Sequence, residues 1–301
     1  MKPSSLIYLV FAVAIIFVGL FICSAASAAA SASGSELFNS KQNDEGDLVF
    51  TYDFSADNVK RLSIETLGAD VMIEKTSGNS YIELVNFADG SYTFSHTNRI
   101  VSVTNNTNLS SILQFGTNGF HFDGLRHYLR GTVDTAKPKS VRVYVGPDSV
   151  LQSVDVSLQS GDFSIRNISV QCDYKISVTD GETSVFSLYN AGSLKFDGNN
   201  SDLEIKNADC DIFSGSLHNG SITADNFRVS SSLFANTDAG SIKLSLLIPI
   251  TEFRSSINSV KGNVSINGNV YENGYNDAVD SNDRYNFEIK VNTGDIVLTT
   301  K

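Results

Sequence analysis

A short unit that recurs through the second half of the chain constrains the fold more than any other feature of the sequence. Each copy places Gly, Asn or Asp next to a small or acidic residue, then two apolar residues separated by one other residue. Neighbouring copies are roughly ten or twenty residues apart, a spacing typical of stacked repeats. The copies are Ser160–Ile165, Asp180–Val185, Ala191–Phe196, Asn200–Ile205, Asn219–Ala224, Ala239–Leu244, Lys261–Ile266 and Thr293–Leu298. The fold must therefore place many short segments, each apolar on one face, in equivalent environments that bury that face.

A chain wound into stacked coils meets this requirement. A short strand cannot bury its apolar face alone, and Gly, Asn and Asp accept the tight or left-handed backbone of a sharp corner. We therefore predict an all-β fold, a single-chain β-solenoid that follows an N-terminal apolar helix. Stacking would join these residues into one core: Phe163, Ile165, Leu194, Phe196, Leu203, Ile205, Ile222, Ile242, Leu244, Val264 and Ile266. A β-sandwich, which also uses many short strands and evenly spaced turns, is the alternative.

The strand-like pattern begins well before the repeats. From about Asp47, Val, Ile, Phe and Tyr alternate with polar residues, which is typical of strands. We therefore predict one β-solenoid domain over residues 47–301, with insertions at about 109–130 and 271–286. The first insertion contains Gly116, Gly119 and Gly124, and each Gly costs a helix about 1 kcal/mol relative to Ala. We interpret that insertion as a loop.

The N-terminus indicates export. Residues 6–23 are an uncharged apolar run preceded by Lys2, and residues 24–46 form an Ala/Ser-rich spacer. Residues 1–23 are either a signal peptide, cleaved at an Ala-x-Ala site such as Ala26–Ala28, or an uncleaved membrane anchor. Lys2 favours an amino terminus that stays inside, so the remainder is expected outside the cytoplasm. The protein is then either anchored in the membrane through residues 6–23 or secreted to the cell surface.

The acidic charge limits the classes of partner. The formal net charge is -11 at pH 7, whereas nucleic-acid binding needs clustered Lys and Arg to neutralise phosphates. The sequence also contains no basic cluster that would attract anionic lipid. We therefore expect no nucleic-acid partner and interpret the charge as that of a soluble acidic surface.

The two cysteines of the β-region are expected to be free thiols. Cys172 and Cys210 are 38 positions apart, which is about two coils of twenty residues each. Equivalent positions two strands apart are separated by about 9–10 Å. A disulfide tolerates at most about 7 Å between Cα atoms, so the pair should not be bridged.

Two segments contain residues that metals bind. His121, Asp123 and His127 supply three zinc-type ligands, but without a helix their spacing does not bring them to one face. They are the best metal candidates, although exposed histidines on a Gly-rich loop explain the pattern more simply. Asp277, Asp280 and Asp283 match no established calcium loop and are interpreted as a solvated acidic loop. We therefore expect no cofactor.

The sequence contains no recognisable catalytic constellation. It has no Gly-x-Ser-x-Gly elbow and no phosphate-binding Gly-rich loop, while His96 and His218 are isolated. Glycan-cleaving solenoids use paired carboxylates, but Asp162, Asp202 and Asp295 lie at turns, where Asp is expected for backbone reasons. We therefore predict that the protein is not an enzyme.

Three stretches resemble one known family. Val141–Ile165 looks like its entry strand and first Ser-Gly-Asp turn, Leu62–Ile73 is similar to its early strand pair, and Asn292–Leu298 resembles its closing strand. The family is the bacterial putative-adhesin family, a group of β-solenoids of unknown function that includes LiaG-type envelope proteins. The resemblance runs from about Leu48 to the end, outside the two insertions. It implies an envelope location, commonly with an N-terminal membrane segment, and it supplies no catalytic residues.

Three hypotheses for the function follow. The first is a non-catalytic surface protein, an adhesin, whose solenoid faces bind a surface polymer or protein. The second is a membrane-tethered module that regulates or senses envelope stress, for which a cleaved and released N-terminus would be contrary evidence. The third is a polysaccharide-active β-helix enzyme, which replacement of the turn aspartates would test. Thr223, Lys243 and Ser265 alternate with core positions and are expected to point outward, whichever hypothesis holds.

Overall fold

The computed structural model consists almost entirely of β-strands, which confirms the all-β prediction. It describes residues 39–42, 47–54, 58–87, 91–105, 114–116, 119–121, 137–272, 274–277 and 285–301. Within these ranges the only other regular element is a 3-10 turn at Ile250–Glu252. Within the same ranges no helix has the length and apolar character needed to cross a membrane. The apolar run at 6–23, with its expected helix, lies outside the described residues.

Ten strands precede the region of clear repeats. They are β1 (Asn39–Gln42), β2 (Leu48–Asp53), β3 (Arg61–Thr66), β4 (Asp70–Lys75), β5 (Tyr81–Val85), β6 (Tyr92–Thr97), β7 (Ile100–Asn105), β8 (Gln114–Gly116), β9 (Gly119–His121) and β10 (Ser140–Val145). Strand β1 falls within the predicted spacer and pairs antiparallel with β2. Strands β8 and β9, within the predicted insertion at 109–130, form a separate antiparallel hairpin.

Twelve strands follow. They are β11 (Ser153–Leu158), β12 (Phe163–Arg166), β13 (Asp173–Phe186), β14 (Ala191–Asn219), β15 (Ile222–Ala239), β16 (Ile242–Leu246), β17 (Phe253–Lys261), β18 (Val264–Ile266), β19 (Asn269–Tyr271), β20 (Tyr275–Asp277), β21 (Tyr285–Thr293) and β22 (Ile296–Thr300). Strand β14 is 29 residues long, so its pairing with the neighbouring coils continues around the corners.

Parallel pairing at a nearly constant offset shows the predicted stack of coils. Val154 of β11 lies beside Tyr174 of β13, and Tyr174 lies beside Leu194 of β14, so partners are 20 positions apart. Phe213 and Leu233, in β14 and β15, repeat the same offset. The coil of about twenty residues expected from the sequence repeats is therefore confirmed.

Each regular coil has three sides. Side A contains β11 and the first part of β13, and side B contains β12 and the second part of β13. Side C is the short return to the next coil, where Ser169 bridges Tyr189 and Ala208 pairs with Phe227. This three-sided path accounts for repeat units that alternate about ten residues apart within one coil.

The ends of the stack are assembled from strands that are distant in sequence. On side A, β3 lies between β7 and β11, and on side B, β4 lies between β10 and β12. At the other end, β21 and β22 lie between the β15–β16 coil and the β17–β18 coil. Antiparallel strands cover both ends: β5 beside β10, β6 beside β7, β20 beside β17 and β19 beside β18. Short covering strands of this kind protect a sheet from edge-to-edge association.

One continuous core fills the stack. Every core residue predicted from the sequence is at most 4% exposed. In the middle of the stack the rings of Phe213 and Phe227 meet edge to face, with centroids 5.3 Å apart. The outward positions Lys243, Thr223 and Ser265 are exposed or half-exposed, as expected. Burial of the alternate apolar residues supplies most of the driving force for coiling.

The corner between sides A and B requires glycine. Gly181, Gly220 and Gly240 have φ values of 146°, 135° and 149°, which residues other than glycine rarely adopt. A Cβ atom on Gly240 would lie 1.8 Å from the carbonyl oxygen of Gly220 in the neighbouring coil. Ser201 takes the corresponding place beside Gly181, and its buried hydroxyl has no hydrogen-bond partner among the described residues. This close stacking explains the glycine of the repeat unit.

The corner between sides B and C uses asparagine instead. Asn167, Asn207 and Asn226 have φ values of 57°, 53° and 50°, in the left-handed region that Asn tolerates better than most residues. Asn226 Nδ2 donates to Asn207 Oδ1 across adjacent coils at 3.1 Å. The repeat-based prediction did not include this second column of turn residues.

Candidate binding surface

The structure describes only part of the predicted metal site. His121 ends strand β9, whereas Asp123 and His127 lie outside the described residues. Asp277 ends strand β20, and the rest of its acidic loop also lies outside them. Across the ranges that the structure describes, no group of three or more His, Cys, Asp or Glu could hold a metal ion. Metal binding by the 121–127 segment stays a prediction.

Cys172 and Cys210 are buried free thiols on side C. One complete coil lies between them. The amide of Gly192 in that coil donates to the carbonyl of Cys172, and the amide of Asp209, next to Cys210 in the following coil, donates to the carbonyl of Leu188. Burial raises the pKa of Cys172 to about 12 and also raises the pKa of Cys210. Both thiols therefore stay protonated at neutral pH, which makes them poor nucleophiles and poor metal ligands.

The turn aspartates join neighbouring coils. Asp202 Oδ1 accepts the backbone N–H of Ser221 at 2.7 Å, and Asp162 Oδ1 accepts that of Glu182 at 2.9 Å. Asp295 does the same for the β17–β18 coil. A carboxylate that accepts a backbone N–H fixes the turn and satisfies a donor at the corner. This ladder supplies the backbone reason for Asp in the repeat unit.

At the N-terminal end of side B, the outward faces of β5 and β10 carry a cluster of aromatic and charged side chains. Tyr81 and Tyr144 are paired in register and their rings stack with centroids 4.4 Å apart. In the neighbouring row Glu83 lies beside Arg142. All four side chains are half-buried although they point away from the core. We name these four residues the tyrosine platform.

The ionisation of the tyrosine platform reflects its partial burial. Removal from water raises the pKa of Glu83, and the Arg142 guanidinium opposes this rise. Burial, and then the charge of Glu83, raise the pKa of Tyr144 and of Tyr81. Both phenols are therefore neutral at physiological pH. The platform presents two hydroxyls, a carboxylate and a guanidinium. Because these groups are half-buried, hydrogen bonds to them are stronger than hydrogen bonds to fully exposed groups.

A shallow cleft continues from the tyrosine platform along side B. Its volume is about 520 Å³, and its lining includes Met72, Arg166, Glu182 and Glu204. Met72 lies directly beside Arg142 in the β4–β10 pair, so the cleft and the platform share an edge. Side B therefore offers a contact surface that begins with aromatic side chains and becomes acidic toward the middle coils.

Sequence reasoning missed the tyrosine platform. The alternation within each strand predicts that Tyr81 and Glu83 share one face of β5, and that Arg142 and Tyr144 share one face of β10. Nothing local to either strand indicates that the two are neighbours. Tyr81 and Tyr144 are 63 positions apart (144 − 81), and the intervening chain includes two strands of side A.

Three bacterial structures have a distant likeness to this chain. A putative cell adhesion protein from Clostridium sporogenes ATCC 15579 is 12% identical, with 87% of this chain and 100% of that chain covered and a TM-score of 0.35. A putative lipid binding protein from Parabacteroides distasonis ATCC 8503 is 11% identical, with coverage of 85% and 96% and a TM-score of 0.42. A putative adhesin from Bacteroides fragilis NCTC 9343 is 11% identical, with coverage of 84% and 97% and a TM-score of 0.35.

The family comparison covers most of the chain. No curated protein matches it. The profile of one family, Toastrack DUF4097, matches residues 59–299, which include the tyrosine platform and all the regular coils. This match confirms the resemblance to a β-solenoid family of unknown function. The chain belongs to the Toastrack DUF4097 family.

Proposed function

We propose that this protein is a non-catalytic, extracytoplasmic binding protein of the cell envelope, and that the tyrosine platform contacts a protein partner. The observation that carries the proposal is the stacked pair Tyr81 and Tyr144 beside Arg142 and Glu83. Tyr and Arg are enriched where binding energy is concentrated in protein interfaces. The rings are already held by their own stacking, so little side-chain entropy remains to be lost on contact.

The proposed location follows from the N-terminal sequence. The apolar run at 6–23 after Lys2 directs the β-domain across a membrane, whether the run is cleaved or retained. The acidic surface suits a protein that stays soluble outside the cell and does not adhere to nucleic acid or anionic lipid.

The proposed absence of catalysis follows from the roles of the reactive side chains. Asp162, Asp202 and Asp295 hold coils together through backbone N–H groups. Cys172 and Cys210 are buried and protonated. The turn aspartates and the two cysteines therefore stabilise the fold and do not form a catalytic site. The side chains of the tyrosine platform, which point outward, are suited to binding.

A membrane-tethered regulatory module is the second candidate. Residues 6–23 provide 18 apolar residues, which meets the minimum length for a membrane span. The intact mass of the protein isolated from its source cells separates the two candidates. Retention of residues 1–23 favours the tethered module, whereas cleavage near Ala26–Ala28 favours a released binding protein.

Binding of the purified full chain to an envelope preparation from the source cells tests the proposal. We expect saturable binding that protease treatment of the envelope abolishes and periodate oxidation of its glycans leaves intact. Tyr144→Ala and Arg142→Ala should each weaken it by about tenfold or more. Lys195→Ala, an exposed charge removed on side A, should bind like wild type.

Two results would overturn the proposal. Equal binding by wild type and the two platform variants would show that the platform is not the contact surface. Binding that resists protease and is lost after periodate would show that the partner is a polymer.

A further inference from the structure

A second polar cavity lies on side C, away from the tyrosine platform. Its volume is about 490 Å³. The register of the parallel β14–β15 pair shifts in its wall, as at a β-bulge: Cys210 pairs with Val229 but Ile212 pairs with Ser232, so β15 contains one extra residue there. Bulges redirect side chains and are over-represented next to functional sites. The buried residues Ala191 and Cys210 form the floor, and we name this hollow the bulge cavity.

The walls of the bulge cavity combine carboxylates with amides and a guanidinium. Asp211 Oδ1 accepts the hydroxyl of Ser230 at 2.6 Å, and Asp209 Oδ1 accepts the backbone N–H of Asn190. The second oxygen of each carboxylate has no hydrogen bond to any described residue. Arg228 lies beside Asp209 in register, yet it forms no ion pair with the residues that the structure describes. These groups are available to a ligand.

The chemistry of the cavity selects a class of ligand. Two carboxylates and one guanidinium give a formal charge of −1 (1 − 2), which opposes an anion. The walls are polar, which opposes an apolar molecule. Burial raises the pKa of Cys210, so the floor provides no thiolate for a soft metal. Arg228, in register with Asp209, opposes a cation, and among the described residues no group of three or more His, Cys, Asp or Glu could hold a metal ion. A neutral ligand that both donates and accepts hydrogen bonds fits these groups.

We propose that the bulge cavity binds one uncharged sugar unit, a function separate from the protein contact of the tyrosine platform. The adjacent hydroxyls of a sugar ring donate to the free oxygens of Asp209 and Asp211. The same hydroxyls accept from Arg228 and from the exposed amide of Gln171. The cavity volume is within the range of small-ligand sites, about 300–1,000 Å³. Charge-assisted hydrogen bonds supply the affinity.

Saturation-transfer NMR on the full chain tests this proposal with four sugars: glucose, galactose, mannose and N-acetylglucosamine at millimolar concentration. We expect transfer to the ring protons of at least one sugar, and weaker binding of its uronic acid because of the negative charge. Arg228→Ala and Asp211→Asn should each weaken binding by about tenfold. Asp155→Asn, which neutralises an exposed aspartate on side A, should leave it unchanged.

Thermal unfolding of each variant separates lost binding from lost structure. Gln171→Ala removes an exposed side chain of the cavity, so it should fold normally and still weaken binding. The proposal is overturned if none of the four sugars receives saturation. It is also overturned if folded Arg228→Ala, Asp211→Asn and Gln171→Ala all bind like wild type.

Discussion

The middle coils and the N-terminal end of the stack use the same kind of strand but are assembled differently. In the middle, partners such as Tyr174 and Leu194 are 20 positions apart. At the N-terminal end, Arg61 of β3 and Ser153 of β11 are partners although they are 92 positions apart (153 − 61). Repetition makes every middle coil similar, whereas distant pairing brings unlike side chains together. The regular coils therefore act as a frame, and the tyrosine platform arises where the regularity ends.

The largest expected effect concerns the corner glycines, and it distinguishes the two regions. In Gly240→Ala, the new Cβ would lie 1.8 Å from a backbone oxygen at a φ of 149°. We expect a loss of about 3 kcal/mol or more in the free energy of unfolding, measured by urea denaturation of the full chain. Gly68→Ala, at the β3–β4 corner, meets nothing within 4 Å and should change stability little. Equal losses in both variants would contradict the close stacking of the middle corners.

The aspartate ladder should contribute less. Asp202→Ala leaves the amide of Ser221 without its acceptor, so we expect a loss of about 1–2 kcal/mol by the same denaturation measurement. Asp197→Ala is the matched control, because it removes an exposed aspartate on side A. If both variants unfold like wild type, the ladder does not stabilise the corners.

Replacing one irregular residue of the middle coils should increase the stability of the protein. Ser201 lies in the glycine column with a buried hydroxyl that has no partner among the described residues. Ser201→Ala removes this unsatisfied group, so we expect a gain of about 1 kcal/mol. Ser157→Ala, at an exposed position on side A, serves as the comparison. A loss of stability in Ser201→Ala would reveal a hydrogen bond to the hydroxyl.

The smallest effect should be a pH dependence at the N-terminal end. The folded state raises the pKa of Glu83, so it holds that proton more tightly than the unfolded chain. Wild-type stability should therefore fall as the pH rises from below the ordinary pKa of a glutamate side chain through the raised pKa of Glu83. Glu83→Gln does not titrate and should gain on wild type over this range, as read from urea midpoints at acidic and neutral pH. A gain of the same size in Glu65→Gln, which changes an exposed residue, would contradict the assignment.

The middle coils could be predicted from the sequence because their signals are local. Gly181, Gly220 and Gly240 mark one corner, and alternating apolar pairs such as Phe163 and Ile165 mark the core. The spacing of these residues in the sequence therefore predicts the length of a coil and the residues that it buries. The asparagine corner also had a local signal, in Asn167, Asn207 and Asn226, that the repeat analysis did not use.

The N-terminal end and both candidate sites could not be predicted in the same way. The tyrosine platform depends on β5 pairing with β10, and no feature of Tyr81 or Tyr144 alone specifies that partner. The bulge cavity depends on one extra residue between Val229 and Ser232, a change of a single position in a coil of about twenty. Such features depend on long-range register, which local propensity does not encode.

A photo-crosslinking scan along side B in the source cells tests the central claim most directly. A photoreactive phenylalanine analogue, which keeps the aromatic ring, would replace Tyr144 in the tyrosine platform, Ser184 in the cleft, and Thr223 and Lys243 on the middle coils. Under this proposal, one envelope protein is crosslinked strongly at Tyr144, weakly at Ser184 and not above background at Thr223 or Lys243. Crosslinks concentrated at Thr223 and Lys243, with none at Tyr144, would contradict it.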